Sequence, residues 1–153
     1  PSDKEAHLIA GQALRDVGQW QAAAQSYRRA VALDSSFAAA HLNLGVSLEM
    51  LGETSAALAA YQAALEARPG LAGAAFNIGR LLQDMGRVDE AIARYEHAVL
   101  LNPDFVEALC NLGLAYQSTG RSEDALQCYR RALLIRPDYP LARTNLQLLL
   151  SAE

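Results

Sequence analysis

The chain has 153 residues, 52% of them hydrophobic and 20% charged, with 13 basic against 17 acidic side chains. That length supports one domain with a real core, and the formal net charge of -4 leaves no electrostatic footprint for a polyanion, so nucleic acid is not an expected partner. The 30 Ala and 25 Leu set against 13 Val, Ile and Thr exclude an all-β fold and a disordered chain.

Residues recur at a fixed interval of 34. Pro69, Pro103 and Pro137 are spaced so, as are Gly11, Gly45, Gly79 and Gly113, and then Gly18, Gly52, Gly86 and Gly120. The interval also links Ala23, Ala57, Ala91 and Ala125, then Tyr27, Tyr61, Tyr95 and Tyr129, then Ala30, Ala64, Ala98 and Ala132. Placing each proline at position 32 defines repeats 4–37, 38–71, 72–105 and 106–139, with a partial fifth at 140–153, all within one domain spanning 1–153.

Each repeat reads as two helices, A and B. Ser2 and Glu5 have the spacing of a capping box that starts helix A of the first repeat. Gly18 ends that helix, and helix B follows. The pair recurs on either side of Gly52, Gly86 and Gly120, each time closing just before Pro69, Pro103 or Pro137, and a last helix fills 140–153. Nine helices in antiparallel pairs are predicted. The second glycine of each repeat suits the left-handed conformation that closes a helix, and a proline cannot continue one. The first glycine lies in mid-helix, where it costs about 1 kcal/mol relative to Ala. Such a loss is recovered where another backbone passes close by. The tyrosine at position 24 is expected to fill the larger gap between neighbouring repeats, with Leu44, Leu58 and Leu65 completing a core one repeat wide.

Leu or Ile then Gly at positions 7 and 8, Ala at 20, Tyr at 24, Ala at 27 and Pro at 32 resemble the tetratricopeptide repeat over almost the whole chain. The first repeat departs most, with Ala10 for the position-7 leucine and Ser35 for the proline. The resemblance implies an all-α, right-handed superhelical solenoid of helix-turn-helix repeats whose A helices line a concave groove. It also implies a non-catalytic module that binds proteins or peptides, with no cofactor.

If helix A lines the groove, positions 2, 5, 6, 9, 12 and 13 face it. Position 6 is Asn43, Asn77, Asn111 and Asn145. An asparagine amide carries one acceptor and two donors, the complement of a peptide unit, so it holds an extended backbone without choosing its sequence. Stacked helices lie about 8–10 Å apart and an extended chain advances about 3.3 Å per residue, so successive asparagines meet roughly every third peptide unit. The column is similar to the asparagine ladder of the O-linked N-acetylglucosamine transferase superhelix. Neutral hydrogen bonds contribute about 0.5–1.5 kcal/mol each, so Leu42, Val46, Phe76 and Leu114, together with Arg80 and Gln117, are expected to add affinity. Otherwise the asparagines bond to a neighbouring helix or simply tolerate a hydrated groove, and the apolar residues are partly buried core. Arg15 and Arg80 against Glu5, Asp16, Glu49, Asp84 and Glu107 give the groove a balance of -3, which favours a neutral or basic ligand. A carboxylate clamp for chaperone tails is disfavoured, since Leu8, Gly73 and Asn77 stand where it needs Lys or Arg.

Other signals carry no chemistry. His7, His41 and His97 lack metal-ligand spacing, so no metal is expected. Cys110, toward the groove, and Cys128, on helix B, are expected to be small buried hydrophobes rather than a disulfide. Asp89, Glu90, Glu123 and Asp124 fall in the first turns of B helices, where acids complement the helix dipole. No stretch approaches the length of a membrane span and residues 1–5 do not resemble a signal peptide, so no membrane partner is expected and a cytoplasmic compartment is the default. Gln147 replaces the position-8 glycine, and Leu146, Leu148, Leu149 and Leu150 spread over more than one face of the last helix. Two alternatives follow from that uncovered surface: a self-assembling scaffold joined through its ends as a homo-oligomer, and the substrate-recruiting arm of a larger enzyme such as a glycosyltransferase.

Overall fold

A computed structural model describes residues 2–152. Among them are nine α-helices: α1 (Asp3–Asp16), α2 (Trp20–Leu33), α3 (Ala38–Met50), α4 (Thr54–Ala67), α5 (Ala72–Asp84), α6 (Val88–Leu101), α7 (Val106–Ser118), α8 (Ser122–Ile135) and α9 (Pro140–Ser151). No strand occurs among the described residues. The fold is all-α and of the helical-repeat solenoid class. Odd-numbered helices are the A helices of successive repeats, and even-numbered ones the B helices.

The chain forms two compact units, Pro1–Ala74 and Ala75–Glu153. In the first, α1 packs on α2, α2 on α3 and α3 on α4, and α1 also reaches α3. In the second, α6 packs on α7, α7 on α8 and α8 on α9, and α7 also reaches α9. Each unit is therefore a run of neighbours in sequence order, with a core of alanines and the position-24 tyrosines, filled out by aliphatic side chains such as Leu48, Ile78, Leu82 and Leu109. Ala23, Ala30, Ala57, Ala64, Ala91, Ala98, Ala125 and Ala132 are all wholly buried.

The helix ends follow their residues. Ser2 and Glu5 form the capping box of α1, with the Ser2 N–H donating to Glu5 Oε2 at 2.9 Å. Gly18, Gly52, Gly86 and Gly120 adopt φ between 76° and 78°, the region that an L side chain enters only at a cost. Arg87 and Arg121, the N-caps of α6 and α8, pair at 2.7 Å with Glu90 and Asp124 in the first turn. The starts of α3, α7 and α9 are different. Their N-caps are Phe37, Phe105 and Tyr139, none of which makes a side-chain capping bond. These residues share position 34, and an aromatic there is placed by packing: Phe105 lies 4.9 Å from the Phe76 ring, Lys4 sits over Phe37 and Arg136 over Tyr139.

The mid-helix glycine has a different partner from the expected one. A Cβ at Gly45 would lie 2.5 Å from Tyr61 Cε1, and one at Gly113 would lie 2.6 Å from Tyr129 Cε1; Gly11 meets Tyr27 and Gly79 meets Tyr95 in the same way. What passes close is an aromatic ring of the same repeat, not a backbone, and the tyrosine fills the space between helices A and B of its own repeat. The ring is flat and rigid, so it can lie flush on a helix only where no side chain stands.

Among the described residues, two buried hydroxyls lack partners: Tyr27 Oη and Ser47 Oγ. Burying a polar group without a hydrogen bond costs about 1–3 kcal/mol. Tyr27→Phe and Ser47→Ala are therefore expected to stabilise the protein, the second by about 1 kcal/mol with its added gain in helix propensity. Urea unfolding curves of the two variants check this, and a loss of stability in both is the contrary result.

At the end of α2, Asp34 collects donors from two sides. Its Oδ1 accepts from the Ser36 N–H at 2.9 Å and from the Ser36 hydroxyl, and its Oδ2 accepts from Lys4 of α1. These bonds, Lys4 first, hold the carboxyl down at about 2. Because the folded value lies below the ordinary aspartate value of 3.8, the contribution is fully present above about pH 4 and is lost as pH falls through about 2. Asp34→Asn is thus expected to be less stable than the wild type at pH 7 and to converge with it as the pH is lowered through 2, as measured by thermal melts across that range.

Candidate functional site

The residues expected to bind peptide lie on A helices. In the first unit, α3 carries Leu42, Asn43 and Val46, all half-buried. Arg15 of α1 reaches across, donating from Nη1 to Asn43 Oδ1 at 3.2 Å and pairing with its neighbour Asp16 at 3.2 Å. In the second unit, α5 carries Phe76, Asn77 and Arg80, and α7 carries Asn111, Leu114 and Gln117, again half-buried, while Asn145 of α9 is buried. Leu114, Gln117, Ser118, Asn145 and Leu148 line a hollow of about 320 Å³ between α7 and α9. Its walls are two leucines, and its floor is an amide whose Nδ2 is buried without a hydrogen-bond partner.

Position 12 is spent within its own repeat. Tyr61 Oη donates to Glu49 Oε2 at 2.9 Å, Tyr95 Oη to Gln83 Oε1 at 2.7 Å and Tyr129 Oη to Gln117 Oε1 at 3.1 Å. Gln117 therefore lines the hollow while its carbonyl is held from behind. Burial pushes the Tyr95 hydroxyl up to about 12, and the Asn111 amide partly opposes that rise. Burial pushes Tyr129 to about 12 as well. Both hydroxyls remain protonated at neutral pH and act as fixed hydrogen-bond donors.

Three further placements adjust the expected groove. Cys110 does not face it: the side chain is wholly buried, because position 5 of α7 turns into the helix interface, and burial pushes its thiol up to about 12. Cys128 is buried too and both cysteines are free thiols. Phe76 packs its ring 5.9 Å from Tyr95 and 4.9 Å from Phe105, so much of it serves the core. Glu107 pairs with Arg136 at 3.1 Å, which reduces the negative balance that sequence position assigned to the groove. The aromatics at position 34 were missed by reasoning from glycines and prolines, although Phe37, Phe105 and Tyr139 fall on the same 34-residue register, with Leu71 in the second repeat.

Among the described residues no group of three or more His, Cys, Asp and Glu is placed to hold a metal, and no helix is long and apolar enough to cross a membrane.

Comparison with known proteins agrees with this architecture. Residues 3–72 match a family model described as Tetratricopeptide repeat, residues 79–120 one described as TPR repeat, and residues 106–139 a second Tetratricopeptide repeat model. No curated protein sequence matches the chain significantly. Among solved structures, that of MamA is 31% identical, with 90% of this chain and 80% of that one aligned at a TM-score of 0.83. PilF of Pseudomonas aeruginosa is 25% identical over 98% of this chain and 68% of its own, with a TM-score of 0.87. A tetratricopeptide repeat protein of Parabacteroides merdae shares the fold at 23% identity and a TM-score of 0.87, over 97% of this chain and 59% of that one.

Proposed function

From the premise that the chain belongs to the tetratricopeptide repeat family, as its matches to family models and its 31% identity to MamA establish, we propose that it is a non-catalytic module that holds an extended, neutral to basic peptide segment along its A helices. Proteins of this family bind other proteins or peptides. The observation that carries the finer reading is the recurrence of one amide at one helical position, Asn43, Asn77, Asn111 and Asn145, beside half-buried apolar side chains. Leu42 and Val46 flank it in the first unit and Leu114 in the second, so an extended segment would find a polar contact for its backbone next to an apolar one for a side chain. Association costs about 4–15 kcal/mol, more than a few neutral hydrogen bonds return, and the leucine-walled hollow at Asn145 supports the apolar share. Replacing all four asparagines with Ala and measuring capture of extended peptides tests the reading. A binding loss of at least tenfold is expected, and unchanged capture would rule out the amide column.

One observation favours a second reading, self-association. Leu148 and Leu150 are 58% and 49% exposed on α9, and Leu133, Arg143, Leu146, Gln147, Leu150 and Ser151 line an apolar groove of about 530 Å³. Light scattering at high concentration decides it, since a strictly monomeric solution removes the reading.

A further inference from the structure

The gap between successive A helices differs between the two units. In the first, Arg15 at position 12 of α1 bridges it by donating to Asn43 Oδ1 on α3 at 3.2 Å, and Asp16 at position 13 pairs with the guanidinium at 3.2 Å. A side chain of the protein itself is thus seated against the position-6 asparagine, with a counter-ion beside it. In the second unit, position 12 of α7 is Gln117, whose Oε1 accepts from Tyr129 of its own repeat. Position 13 is Ser118, whose hydroxyl donates back to the Ala115 carbonyl. Neither side chain reaches Asn145, and the gap is left as the hollow of about 320 Å³ lined by Leu114, Gln117, Ser118, Asn145 and Leu148. Asn145 is only 9% exposed and its Nδ2 is sealed in without a partner, so Oδ1 is the end of the amide that an occupant can reach. Among the described residues no hydrogen bond offsets the burial of this side chain.

We propose that this hollow is a side-chain subsite for a primary carboxamide, the glutamine of an extended peptide, whose NH2 donates to Asn145 Oδ1 and whose carbonyl accepts from Gln117 Nε2. The proposal deepens the groove reading above and rests on it: Asn43, Asn77 and Asn111 meet backbone, whereas Asn145 reads a side chain. The lining chemistry makes the choice. Tyr129 bonds the carbonyl end of Gln117, so the two N–H groups of Nε2 are the end left for an occupant. A donor and an acceptor then share one small space, which a carboxamide complements with its own acceptor and donor. None of the five lining residues is charged. A Lys or Arg seated there would lose water without the carboxylate that Asp16 gives Arg15. A Glu carboxylate has no hydrogen to give Asn145 Oδ1. An aliphatic side chain would fit between Leu114 and Leu148 but would cover Oδ1 without a donor. Glutamine has two methylenes to pack between those leucines and carry its amide to the floor, one more than asparagine has.

Decapeptides selected from a random phage-displayed library on the wild-type chain are the probe, with affinity read by fluorescence anisotropy. The selected sequences are expected to share a glutamine at one register. Exchanging it for methionine, which keeps the length and loses both hydrogen bonds, should weaken binding about tenfold, and exchanging it for glutamate should weaken it at least as much. Asn145→Ala should reduce the difference between the glutamine and methionine peptides to about threefold or less, the share of the remaining bond. Ser118→Asp places at the exposed end of α7 the carboxylate that position 13 carries in the first unit. It should raise the affinity of the peptide with arginine in place of glutamine at least fivefold, a gain that a damaged protein could not produce. The subsite is wrong and the groove reading survives if peptides bind and Asn43→Ala or Asn111→Ala weakens them, yet the glutamine and methionine peptides bind alike, or the glutamate peptide binds more tightly, or Asn145→Ala leaves the tenfold difference intact, or the arginine peptide gains nothing from Ser118→Asp. If no peptide is recovered, or replacing all four asparagines changes nothing, the groove reading fails and the subsite falls with it.

Discussion

Tyr129→Ala is expected to lower the free energy of unfolding by about 3–5 kcal/mol, the range for deleting a fully buried aromatic side chain. The ring has no exposed surface and rests on the backbone of α7 at Gly113. Helical backbone cannot collapse into the space the ring leaves, so the cavity persists. The hydroxyl adds a bond to Gln117 at 3.1 Å, and Tyr129→Phe, which keeps the ring, is expected to cost only about 0.5–1.5 kcal/mol. Guanidinium unfolding followed by circular dichroism separates the two variants. A loss below 1 kcal/mol for the alanine would show that the ring is not what fills this repeat.

Gly113→Ala should destabilise although it improves helix propensity. Removing a mid-helix glycine returns about 1 kcal/mol. Against this, the new Cβ would stand 2.6, 2.9 and 3.0 Å from three atoms of the Tyr129 ring, and overpacking a tight core costs about 1–3 kcal/mol. The ring has no free side to move toward, so the steric term wins and a net loss of about 1–2 kcal/mol follows. The sign reverses once the ring is gone. In a Tyr129→Ala background the same substitution should stabilise by about 1 kcal/mol, and the non-additivity of the double-mutant cycle measures the contact directly. Additive effects would mean that Gly113 and Tyr129 do not meet.

The repeat and its helices were legible because each boundary is marked by a residue with one conformational use. Gly18, Gly52, Gly86 and Gly120 take the left-handed conformation that position in the pattern required, and the prolines lie just beyond the B helices. The column of asparagines was equally visible. Their surroundings were not, since Asn43 accepts from Arg15, 28 residues away, and Asn145 is buried with its Nδ2 unpartnered.

The residue types that recur every 34 positions marked the family resemblance, the helical class, the helix ends and the close-contact alanines, because glycine, proline and alanine each fit only a few places in stacked helices. Only the tertiary structure decided where the buried tyrosines lie, that Cys110 turns inward, that the A helices beginning at Ala38 and Val106 start on packed aromatics instead of capping side chains, and that position 12 is committed to a tyrosine hydroxyl wherever it can accept. The physical reason is one of direction. Spacing along a helix tells which residues share a face, but the ring, thiol or amide each one meets depends on how closely two helices approach, and here that distance is set by a glycine on one helix and a tyrosine on the other.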